Sequence, residues 1–65
     1  MNVDYQAKED IEVMLRLRES VLEPSELEKV TGIPMRRLRC ILSRLREAGC
    51  VFKVRGTHLY ALSDR

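Results

Sequence analysis

Residues 31–49 read TGIPMRRLRCILSRLREAG. Arg36, Arg37, Arg39, Arg44 and Arg46 fall within eleven positions, with leucines and an isoleucine threaded between them. The spacing predicts a helix over 34–48, with Pro34 in or beside its first turn and Gly49 ending it. Spread at about 100° per residue, Leu38, Ile41, Leu42, Leu45 and Gly49 gather on one face. Arg36, Arg39, Cys40, Ser43, Arg44 and Glu47 take the opposite face, and Arg37 and Arg46 flank it. A solvated face usually sets acids one turn from its bases for mutual support. Here only Glu47 is in place to do so. Arginines this close repel one another unless something negative lies near. Phosphate is the obvious candidate, because the guanidinium fork contacts phosphates and guanine edges through two parallel hydrogen bonds.

Working outward, Gly32 suits the left-handed residue that closes a preceding helix, here about 24–31. Two starts compete for that helix. Pro24 can take the first helical position with Glu23 as cap. Alternatively, Ser25 and Glu28 form a capping box. Either start turns Leu27 and Val30 inward, and Ile33 supplies the apolar residue of the turn. Before it, residues 5–20 predict a first helix. Ile11, Met14, Leu15, the stem of Arg18, Val21 and Leu22 follow its 3–4 spacing, with Ala7 a turn earlier. Asp4 is its candidate cap, and Glu9, Asp10 and Glu12 sit early, where the helix dipole favours acids. Val21-Leu22 then breaks into a short extended piece.

Downstream, CVFKVRGTHLYAL is rich in β-branched and aromatic residues around Gly56-Thr57. It predicts strands at 50–55 and 58–62 joined by a two-residue type II′ turn. That turn pairs Arg55 with His58, Lys53 with Tyr60 and Val51 with Leu62. If Val51, Tyr60 and Leu62 face the helices, then Phe52, Val54 and Leu59 form an exposed apolar surface for a second copy or a protein partner. A bulge or twist that half-buries both faces is the competing arrangement.

The chain has 65 residues, room for one small domain with an aliphatic core. Its net charge of +2 hides an asymmetry: residues 1–34 carry −4 and residues 35–65 carry +6. Such a split points to nucleic acid or an acidic partner. No apolar run approaches the ~20 residues of a membrane span. Cys40, Cys50 and His58 do not make a zinc set. Nothing reads as a signal peptide, so the thiols are expected reduced and the protein cytoplasmic.

A helix, a short helix, a tight Gly turn, a longer basic helix and a two-stranded hairpin together resemble the winged helix-turn-helix proteins, small transcription regulators among them. The carriers are SELEKVTGIPMRRLRCILSRLREAGCV and GTHLYAL, and the resemblance spans about residues 8–62. It implies an α+β fold of three helices followed by a β-hairpin wing. It also implies that the N-terminal half of the third helix enters the major groove of double-stranded DNA. By matched position Arg36, Arg37, Arg39 and Cys40 come nearest base edges. Arg36 and Arg37 are then the readers, and Arg39, Ser43 and Arg44 are equally suited to phosphates. The wing implies backbone contacts by Lys53 and Arg55, joined by His58 if protonated. Two departures stand out: an early double arginine where many members carry Ser or Thr, and Cys40 where many carry a polar or basic residue.

Cys40 among arginines suits a thiolate switch, but a small residue fitting close to the groove or to the second helix is the simpler reading. Met35 is expected to pack against the second helix. No triad, metal set, phosphate-binding Gly loop or facing pair of carboxylates appears, so no enzyme and no cofactor are expected. The expected function is DNA binding by a small regulator, with homodimerisation multiplying the few base pairs one module reads. The alternative is a winged-helix module that binds protein or RNA.

Overall fold

The computed structural model describes residues 4–63, with side chains from residue 8 onward. Its elements are α1 (Asp4–Glu19), α2 (Pro24–Thr31), α3 (Met35–Glu47), β1 (Val51–Lys53) and β2 (Tyr60–Leu62). Three helices followed by a two-stranded antiparallel hairpin make an α+β fold with a winged-helix layout. The expected cap Asp4 and the apolar Ala7 have side chains outside the described residues.

α3 follows its periodicity. Leu38, Ile41, Leu42 and Leu45 are all buried. They join Val13 and Leu17 of α1, Leu27 of α2, Ile33 of the turn and Val51 of β1 in one core. Gly49 belongs to the helix stop rather than to the apolar stripe. Its φ is +82°, its N–H donates to the Arg46 carbonyl, and the next N–H, of Cys50, donates to Leu45. This is a Schellman closure, and Cys50 then packs, half-buried, against the core.

In α2 the first of the two starts is the one adopted. Pro24 takes the first helical position, and the Glu23 N–H donates to Glu26 Oε1 at 2.9 Å. Only Leu27 is buried, whereas Val30 is exposed, contrary to expectation. Thr31, one turn after Leu27, takes the inward place. Its hydroxyl donates to the Leu27 carbonyl at 2.6 Å and accepts the Ile33 N–H at 3.2 Å. That hydroxyl ties the helix end to the turn, which Val30 has no group to do.

α1 lies in a different register from the expected one. Val13 and Leu17 are buried and Met14 is half-buried. Ile11 and Leu15 are 52% and 53% exposed, and Arg18 and Val21 are also exposed. Apolar residues at 11, 13, 14, 15 and 17 offer two overlapping stripes. The stripe that packs is the one that also turns Glu9 and Asp10 toward α3, where Arg37 and Arg44 meet them.

The wing has the expected register, Val51 with Leu62 and Lys53 with Tyr60. Its strands are shorter than 50–55 and 58–62, and its turn differs. The Thr57 N–H donates to the Val54 carbonyl at 3.1 Å, so Gly56, at φ +77°, sits third in a four-residue turn. Positive φ in third place is what a type II turn requires. The Thr57 hydroxyl also donates to the Val54 carbonyl (2.8 Å) and accepts the Leu59 N–H (3.0 Å). It thereby stabilises a loop over 55–58 in place of the two-residue turn, and Arg55 and His58 are not a strand pair. On β2's free edge, Leu22 and Tyr60 exchange both backbone hydrogen bonds, at 3.2 and 2.8 Å. The extended piece before Pro24 is thus a one-residue third strand.

Candidate nucleic-acid interface

α3 buries one stripe, and beyond the half-buried Met35 its other residues face solvent. Arg36, Arg37, Arg39, Cys40, Ser43, Arg44, Arg46 and Glu47 are exposed. They divide into two flanks and a centre, because residues seven apart on a helix return to nearly the same side. Arg37 and Arg44 share the flank toward α1. Arg39 and Arg46 share the flank toward the wing. Arg36, Cys40 and Ser43 lie between them, and Pro34, Arg36, Arg37 and Cys40 line a shallow hollow at the head of the helix.

The wing-side flank opens onto a groove of about 590 Å³ between α3 and the hairpin. Arg39, Ser43, Arg46 and Glu47 line it from α3, and Lys53, His58 and Tyr60 line it from the wing. A second hollow at the wing tip shares Arg46, Lys53 and His58 and adds Arg55. The fold thus brings together Arg39, Ser43, Lys53, Arg55 and His58, residues that the sequence singled out separately. Among the described residues, no carboxylate lies within 4.0 Å of Arg36, Arg39, Arg46, Lys53 or Arg55. Glu47 is the one acid on the groove wall.

The α1-side flank is different. Arg37 Nη2 lies 2.9 Å from Glu9 Oε2, and Arg44 Nη2 lies 2.7 Å from Asp10 Oδ1. The counter-charge that this arginine cluster needs is supplied in part by the chain itself.

Sequence reasoning passed over Arg46 and Tyr60. Arg46 stands seven residues after Arg39, which is signal enough to place both on one flank. Tyr60 reaches the groove because β2 is held between β1 and Leu22, a pairing that no local pattern announces.

The proposed apolar surface on the hairpin does not form as one patch. Phe52 is exposed, but Val54 and Leu59 are half-buried, while Val51 is buried and Tyr60 and Leu62 pack on the core. Cys40 is exposed. Among the described residues, no three His, Cys, Asp or Glu side chains gather as a metal site, and no helix is long and apolar enough to cross a membrane. No family profile, curated protein or solved structure matches the chain.

Proposed function

We propose that this chain is a DNA-binding protein of the winged helix-turn-helix type, a small cytoplasmic transcription regulator. In this reading α3 enters the major groove and the wing lies along the adjacent backbone. Arg36, Arg39 and Cys40 face base edges, while Ser43, Arg46, Lys53, Arg55 and His58 follow the phosphates. One observation carries the reading: four cations from α3 and the wing, Arg39, Arg46, Lys53 and Arg55, border two adjoining hollows that share Arg46 and Lys53, with no carboxylate within 4.0 Å of any of them among the described residues. Predominantly positive surfaces attract polyanions and release the polyanion's counterions on binding. A homodimer fits the reading, because one module covers few base pairs.

A protein- or RNA-binding module is the second reading. Ile11 and Leu15, half-exposed one turn apart on α1, support it as a strip that a protein partner would cover. Duplex RNA suits the surface less well, since its major groove is too narrow for side chains to read.

The test is titration of labelled protein with a mixed-sequence DNA duplex at two salt concentrations. The reading expects chemical-shift changes at residues 36–46 and 53–58, with affinity falling steeply as salt rises. Arg46→Ala with Lys53→Ala should make the log–log salt slope shallower by about 0.9 for each phosphate that is no longer neutralised. Absence of shifts at low salt refutes DNA binding and directs the search to a partner for Ile11 and Leu15.

A further inference from the structure

The two flanks of α3 carry equal numbers of arginines but not equal charge. On the wing side Arg39 and Arg46 have no carboxylate within 4.0 Å among the described residues. On the α1 side Arg37 and Arg44 face Glu9 and Asp10 at 2.9 and 2.7 Å. The acids are the anchored partners: their side chains are 16% and 21% exposed, against 48% and 43% for the two arginines. The guanidinium groups therefore still reach solvent, but each is already matched by a fixed negative charge.

We propose that Glu9 and Asp10 are specificity-determining residues, built-in counter-ions that neutralise one flank of the DNA-binding helix. The inference rests on the DNA-binding reading above. A duplex approaching α3 meets positive charge on the wing side and close to none on the α1 side, since each opposed pair lies well inside the ~8 Å screening length of physiological salt. The phosphate backbone is thereby steered to the groove between α3 and the wing. Two arginines that would otherwise add sequence-independent attraction are kept from doing so. Affinity for arbitrary sequence stays low, and a larger share of binding falls to the base-facing residues Arg36, Arg39 and Cys40.

The test uses the full chain with a mixed-sequence duplex, comparing wild type with E9Q/D10N and with the charge-balanced variant E9Q/D10N/R37Q/R44Q. Gln and Asn keep the size and an acceptor while removing the charge. Thermal melts establish that each variant is folded. E9Q/D10N should bind more tightly, with a log–log salt slope steeper by up to about 1.8, that is about 0.9 for each arginine that turns to a phosphate. The gain should be larger at ~50 mM than at ~200 mM salt, by up to about tenfold. The charge-balanced variant should bind with the wild-type slope. If the acids instead aim the arginines at phosphates, E9Q/D10N gains nothing and the charge-balanced variant has a shallower slope than wild type; that result overturns the inference and leaves DNA binding standing. If wild type and E9Q/D10N both ignore the duplex at low salt, the DNA-binding reading itself fails, and the inference with it.

Discussion

The carboxylate of Glu28, on α2, accepts the backbone N–H of Met35, the first residue of α3, at 3.1 Å. Pro34 holds the cap position of α3 and has no side-chain oxygen to offer. The cap is therefore lent by the preceding helix, and it adds a negative charge where the α3 dipole is positive. Glu28→Ala should cost about 1 kcal/mol, and Glu28→Gln less, because an acceptor remains. Urea denaturation measures both. Equal stabilities for Ala and wild type would show that water replaces the carboxylate without loss.

Gly49 should resist substitution for backbone reasons alone. A Cβ there meets nothing within 4 Å, but φ is +82°. Gly49→Ala is expected to lower stability by about 1–2 kcal/mol, and Gly49→Asn by less. Thermal melts read the order, and an Ala variant as stable as Asn would contradict it.

Leu38 is fully buried where all three helices meet the core. Leu38→Ala should remove about 2–5 kcal/mol, most of what a domain this small possesses. Leu38→Met, nearly conserving volume, should cost less than about 1.5 kcal/mol. Far-UV circular dichroism at room temperature should show the first largely unfolded and the second folded.

Thr57 fixes the wing tip through two hydrogen bonds of one hydroxyl. Thr57→Val keeps the shape and removes the oxygen, at a global cost of about 1 kcal/mol. Faster hydrogen exchange of the Leu59 amide should accompany it. If Lys53, Arg55 and His58 contact phosphate, duplex affinity falls further than stability does. Unchanged exchange at Leu59 would show that the backbone bonds alone define the turn.

The α3 core face is legible in the sequence because a helix with one apolar stripe has one way to lie. α1 is not, because its five closely spaced apolar residues support two stripes. The stripe that packs also sets Glu9 and Asp10 against arginines of α3, 28 and 34 residues away, a pairing that no local pattern announces. The wing register could be read although the turn type could not. A loop over 56–57 and a loop over 55–58 share a centre, so both set Lys53 against Tyr60. At the site, exposure of the arginines follows from periodicity. Which arginines already have a partner is a matter of tertiary contact, and only the folded chain displays it.

The bridge between Leu22 and Tyr60 gives the wing a role in how the chain assembles. It closes a loop containing the whole of α2 and α3, so its closure entropy is recovered only once those helices are docked. The helices meet through contacts closer in sequence and are able to organise first. The hairpin root is thus a latch that closes only when everything between residues 22 and 60 is in place.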